Sequence, residues 1–228
     1  MTTQLAICNL ALSHLAEGRP IASLSEATAS ARACTRFYTQ VRDEVLREFP
    51  WPFALRTTAL TVIDGETTRA SLDWQYSYEY PTDCLFARDV LVGSRRPQSR
   101  PVRVPFVIGF TPAIEEDEEE EIEAVPAGLV IYTDAAPVDA TATSVALPQL
   151  EYTSSGVTEA IMASDFAEAF AYLLAFTIAP MVTGGDPYKL GQRARAAYEW
   201  TIERARNRAL QEGEPDAEPE SEFIRARG

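Results

Sequence analysis

Asp73, Glu79, Asp83 and Asp89 lie close together in the sequence, and carboxylates are the side chains that could do chemistry here. Two of them facing each other could serve as the acid and base of a glycosidase, and a cluster of them could hold magnesium through oxygen ligands. Acids at strand edges and turns also gather in this way, and that structural reading is preferred. Histidine chemistry has little to draw on. His14 is the single histidine, no second one exists to form a metal pair, and no nucleophilic serine or cysteine motif surrounds it. Cys8, Cys34 and Cys84 are odd in number and widely spaced, which matches neither a disulfide framework nor a zinc set, so reduced thiols are expected. Neither a GxGxxG nor a P-loop pattern occurs, which leaves nucleotide binding unsupported. No catalytic residue, cofactor or metal is assigned.

The elements that would carry these residues fall into helical, β-rich and again helical stretches. Leu5, Cys8, Leu12 and Leu15 recur at helical spacing, and the helix is expected to stop near Gly18 to Pro20. Ser23 with Glu26 has the form of a capping box opening a second helix, striped by Ala27, Ala31, Cys34, Tyr38, Val41 and Val45. Pro50 and Pro52 end it, because proline lacks an amide hydrogen and drives the preceding residue out of the α region. Pro50, Trp51 and Phe53 are read as an inter-domain hinge, the aromatics wedging a rigid turn.

Short β-rich runs follow at residues 55–63, 72–80, 85–92, 102–108, 129–132 and 144–152, separated by Gly, Pro and acidic turns. Trp74, Tyr76, Tyr78 and Tyr80 alternate onto one strand face, which suits a core or subunit interface and could also bind a flat sugar. Helical spacing returns at Phe166, Phe170, Leu173, Leu174 and Ile178, with a break at Pro180. Asp186-Pro187 reads as an N-cap and first-turn proline opening a last helix to about Leu210, with Leu190, Ala194, Ala197, Thr201 and Ala205 as its buried stripe. The fold class expected is α+β: residues 1–53 and 158–212 form a helical bundle, and residues 54–157 an inserted antiparallel β-sandwich or barrel. Residues 213–228 are too polar and proline-rich to fold alone, and end in an apolar plug, Phe223 and Ile224, beside Arg225 and Arg227.

Charge narrows the function. The 228-residue chain carries a formal net charge of −14, which argues against binding nucleic acid by neutralising phosphates. Its cations are arginines apart from Lys189, and arginine's planar fork suits persistent interface pairs. Arg193, Arg195, Arg204, Arg206 and Arg208 form a patch on the last helix that could meet an acidic neighbour. Glu115, Glu116, Asp117, Glu118, Glu119, Glu120 and Glu121 form a self-repelling run, read as a solvated loop or as the lining of a channel through which DNA slides. The N-terminus shows no basic region followed by an apolar run, and no segment is expected to reach the roughly 18 apolar residues of a membrane span.

Several segments also carry a resemblance. Ile7-Cys8-Asn9-Leu10-Ala11-Leu12, Ile21-Ala22-Ser23-Leu24-Ser25-Glu26, Ala31, Cys34, Tyr38, Arg42-Asp43 and the Pro50-Trp51-Pro52-Phe53 block resemble the tail tubular protein A family, the head-to-tail adaptors or gatekeepers of short-tailed bacteriophages. Tyr78-Glu79-Tyr80-Pro81-Thr82-Asp83-Cys84-Leu85 and Ser221-Glu222-Phe223-Ile224-Arg225-Ala226-Arg227 are similar to two further segments of that family, and the likeness extends over nearly the whole chain. The acidic run has no place in the family pattern. The resemblance implies a non-enzymatic virion protein, made in the host cytoplasm, that sits at the head–tail junction in a ring of about twelve copies. Its partners would be the portal protein, the tail nozzle protein and itself, with genomic DNA passing through the channel without sequence-specific binding and no membrane involved. Phe223, Ile224, Arg225 and Arg227 would dock on the portal. The alternative function is a tail-associated glycan hydrolase or a carbohydrate-binding module, the aromatic strand serving as platform.

Overall fold

A computed structural model describes residues 2–16, 19–63, 74–93, 101–111, 128–137, 148–184 and 186–212. The described chain is α+β, with four α-helices and two antiparallel sheets. It divides into two compact units: one takes the chain up to Val45, Trp51–Phe53 and everything from Thr158, the other Leu46–Pro50 and Ala54–Val157.

The first unit is helical. Helix α1 (Gln4–His14) starts at Thr3, whose Oγ1 accepts from the Ala6 amide, and buries Ile7, Cys8, Ala11 and Leu12. Helix α2 (Ala29–Glu48) begins later than the Ser23–Glu26 pattern predicts. Glu26 does reach back to the amides of Ala22 and Ser23, but that closes an isolated turn. Thr28 Oγ1 caps the helix by accepting from Ala31, so Ala27 is exposed while Ala31, Cys34, Tyr38, Val41 and Val45 are buried. Helix α3 (Ser164–Val182) runs through Pro180 in its last turn, which forgoes the amide bond to the Phe176 carbonyl and is followed within three residues by the end of the helix. It is long and apolar enough to cross a bilayer, contrary to the expectation that no segment would be, because Asp165 and Glu168 are its only charges. Most of it is buried, packed between α1 and helix α4 (Pro187–Glu212).

Asp186 Oδ1 accepts from Lys189 and so caps α4. The buried face of α4 is Gly191, Ala194, Tyr198, Thr201, Ile202 and Ala205, rotated from the stripe expected, so that Leu190 and Ala197 fall at its margin. Small residues decided this. Gly191 lies against Ala179 and Phe176 of α3, where a modest 3.6-period count favours leucine over glycine but close helix approach favours glycine.

The second unit holds β1 (Leu55–Ala59), β2 (Tyr76–Glu79), β3 (Cys84–Val92), β4 (Val102–Val104), β5 (Phe106–Thr111), β6 (Gly128–Thr133) and β7 (Gln149–Ser154). One sheet has the order β1-β7-β3-β4, the other β2-β6-β5. Two runs that read as single strands are each divided between the sheets. Residues 102–108 bend at Pro105, leaving β4 on β3 and β5 on β6. Thr133 fixes this corner by donating from Oγ1 to the Pro105 carbonyl at 2.8 Å. Residues 55–63 bend after β1, Leu60 turning into the core while Val62 bridges to Tyr78 of β2. Proline cannot donate to a ladder, so Pro105 marks a place where pairing must change. The core draws on both sheets: Tyr78 and Ile131 from one, Ala87, Val90, Leu150 and Tyr152 from the other.

Candidate functional site

The acids read as possible catalysts separate in the structure. Glu79 is exposed on β2 and Asp89 lies on β3 in the other sheet, paired at 3.5 Å with Arg103. Asp73 lies outside the described residues. Asp83 stands in the turn before β3, at the centre of a polar knot. Its Oδ1 accepts from the Tyr152 hydroxyl at 3.0 Å, and its Oδ2 from Ser154 Oγ at 2.7 Å and from Arg56 at 3.2 Å. Its carbonyl accepts from the Ser155 amide at 2.8 Å. Arg56 spans the knot, donating also to the Gly156 carbonyl at 3.1 Å.

The electrostatics follow from these partners. Burial pushes the Asp83 carboxyl up, but the hydrogen bonds from Ser154, Tyr152 and its own amide, with the Arg56 charge, outweigh it and hold the group below its usual range. Burial, and then the bond to Asp83, push the Tyr152 hydroxyl up to about 12. A carboxylate held ionised with its oxygens occupied cannot deliver a proton as a glycosidase acid must. It joins the turn at 81–84 to β1 and β7. Among the described residues, no group of three or more His, Cys, Asp or Glu side chains is placed to hold a metal.

The aromatic strand is a core face. Tyr78 is fully buried and donates to the Ala135 carbonyl, while Tyr76 and Tyr80 pack against the same cluster. Burial, then Tyr76, pushes Tyr78 up to about 12. Trp74 precedes β2 and is half-buried.

At the end of α2 the residues read as a hinge are used unequally. Pro50 is exposed, whereas Trp51 is buried and Phe53 half-buried. Both aromatics lie edge-on to Phe166 with ring centroids 4.9 Å away, rather than taking opposite sides of the turn. Trp51 Nε1 donates to the Val45 carbonyl at 3.0 Å, and within the other unit Arg88 donates to the Arg47 carbonyl at 3.1 Å. The last four carbonyls of a helix lack intrahelical partners, so these side chains complete the end of α2.

Four of the five α4 arginines pair with carboxylates of their own unit. Arg204 pairs with Glu168 at 3.2 Å and lies over the Trp200 ring, Arg208 pairs with Asp165 at 3.3 Å, Arg206 with Glu203 at 2.7 Å, and Arg195 with Glu199 at 3.4 Å. Glu168 and Asp165 on α3 thereby take up Arg204 and Arg208 of the patch that could have met an acidic neighbour. His14 stacks on Tyr172 at 3.8 Å beside a cleft of about 400 Å³ lined also by Leu190, Arg193 and Ala197. Burial keeps its imidazole below the usual range against an opposing pull from Glu168, consistent with a neutral packing ring. Cys8, Cys34 and Cys84 are free thiols.

Asn9 was not singled out from the sequence as a structural residue, yet its amide grips the backbone of Ile21 from both sides, accepting from the amide at 2.9 Å and donating to the carbonyl at 3.0 Å. A half-buried asparagine inside an apolar helix pattern is the signal that could have found it. The acidic run and Phe223, Ile224, Arg225 and Arg227 lie outside the described residues. Both units also expose large apolar side chains: Phe86, Val102, Val107, Ile108, Phe110 and Leu129 in the β unit, and Phe176, Met181, Tyr188, Trp200 and Leu210 in the helical one. Comparison of the chain with protein-family models and with curated proteins finds no match.

Proposed function

We propose that this chain is a structural head-to-tail adaptor of a short-tailed bacteriophage, forming a ring of about twelve copies that joins the portal to the tail nozzle and continues the DNA channel. In this reading the helices form one bundle, and the β unit is a sandwich, closed at its corners, inserted between α2 and α3. The acidic run faces solvent or the channel, Pro50, Trp51 and Phe53 set the angle between the parts, and the C-terminal segment docks on the portal. The chain carries out no reaction.

The observation that carries the reading is how the polar groups of the segments resembling the adaptor family are used. Asn9, Trp51 and Asp83 each come from such a segment, and each is spent on joining pieces of its own unit. That is the economy of a scaffold, and the exposed apolar side chains of both units provide the kind of surface that assembly covers. Co-sedimentation of the purified protein with purified portal rings tests the reading: saturable capture is expected, and absence of capture at any protein concentration contradicts it.

A further inference from the structure

The β unit ends on two flanks that differ. On one flank β4 bends at Pro105 into β5, so a single stretch of chain forms the border of both sheets. On the other flank β1 borders the four-stranded sheet. Among the described residues, β5 pairs with β6 on one side and with no strand on the other.

An open strand edge is a row of unpaired amides and carbonyls, and proteins that remain monomeric protect it with lysines, prolines or bulges. Phe106-Val107-Ile108-Gly109-Phe110-Thr111 has none of the first two, and its register with β6 is unbroken. Its side chains add an apolar load: Val107 is 47% exposed, Ile108 42% and Phe110 65%, with Phe110's cross-strand partner Leu129 at 51%. Gly109 has the ring of Tyr132 of β6 packed over the face where its Cβ would stand, so that face of the strand is covered by its neighbour.

A further strand would pair such an edge along its whole length, and the chain itself offers one. β1 is five residues long against six in β5, borders the opposite flank, and exposes Arg56, Thr57 and Ala59. We infer that β5 of one copy pairs with β1 of a second copy, extending the three-stranded sheet of the first into the four-stranded sheet of the next. Because the two edges differ, the contact is head-to-tail, and repetition leads to a ring or an open filament rather than a twofold dimer. This deepens the ring reading by naming its surface and relies on that reading for closure alone. Strand addition supplies main-chain bonds, while Val107 and Phe110 supply apolar contact.

The test uses two full-length single-site variants, Val107→Cys and Thr57→Cys, mixed at high concentration with a short bismaleimide linker, with the unsubstituted chain as the control for Cys84. The expected product is the 107–57 heterodimer, in about tenfold excess over either homodimer. Sedimentation of a Phe110→Lys chain with unchanged circular dichroism is expected to show self-association weakened about tenfold. A dominant 107–107 product, no product above the control, or unaltered association of Phe110→Lys overturns the inference. Crosslinking without portal supports edge pairing whatever portal capture shows, since capture tests the adaptor reading alone.

Discussion

The indole of Trp51 donates to the carbonyl of Val45 at 3.0 Å, so the residue just past the proline at the end of α2 completes the last turn it has left. Val45 is buried, as is Trp51, and water is not at hand to replace the bond. Trp51→Phe keeps most of the apolar ring but strands that carbonyl, and is expected to cost about 1 to 3 kcal/mol. Trp51→Ala also removes packing on Phe166 and is expected to cost about 3 to 5 kcal/mol. Chemical denaturation followed by circular dichroism checks both. Equal midpoints for the parent and Trp51→Phe would show that the bond contributes nothing.

Two glycines give opposite outcomes on substitution by alanine. At Gly191 the new methyl would meet Phe176 at 3.5 Å and Ala179 at 3.6 Å, ordinary contacts, inside a helix where glycine costs about 1 kcal/mol relative to alanine. Gly191→Ala is therefore expected to raise the melting temperature by a few degrees. At Gly109 the methyl would clash with the Cε2 edge of the Tyr132 ring, so Gly109→Ala must displace that ring and is expected to destabilise by about 1 to 3 kcal/mol. Thermal melts of the two variants, compared with the parent, decide the signs.

These positions also show what could be read from the sequence. The helical stripes and the presence of β-rich runs were legible because burial imposes a period of 3.6 or 2. Pro105 was legible as a proline but not as a corner, because a strand that changes sheets keeps its local β preference on both sides. The start of α2 was misplaced because Ser23 and Glu26 make half of a real capping pattern in a turn, while Thr28 does the capping. The Asp83 knot could not be foreseen, since Arg56, Asp83, Tyr152 and Ser154 come from separated stretches that only the sheet brings together.

Alkaline stability should follow the buried tyrosines. Tyr78 and Tyr152 have folded values of about 12 against an ordinary 10.0, raised by burial first. The unfolded chain then loses these protons before the folded one, so their contribution is fully present below pH 10 and falls away as pH rises toward 12. Denaturation midpoints across that window are expected to decline, and less steeply in Tyr152→Phe. A profile for Tyr152→Phe parallel to the parent's contradicts the assignment.

The C-terminal segment is expected to matter for attachment and not for folding, because residues 213–228 are too polar and proline-rich to bury a core of their own. A chain ending at residue 212 should keep the parent's melting temperature. Its affinity for purified portals should fall by at least about tenfold, the loss of Phe223 and Ile224 from the contact outweighing the ordering cost it removes. Unchanged affinity would move the docking surface to the helices.

Imaging purified portal rings after incubation with the full chain tests the central claim most directly. The account predicts a closed ring of about twelve copies on one face of each portal, enclosing a channel continuous with the portal's own. Bare portals, or copies scattered singly over them without a ring, would contradict it.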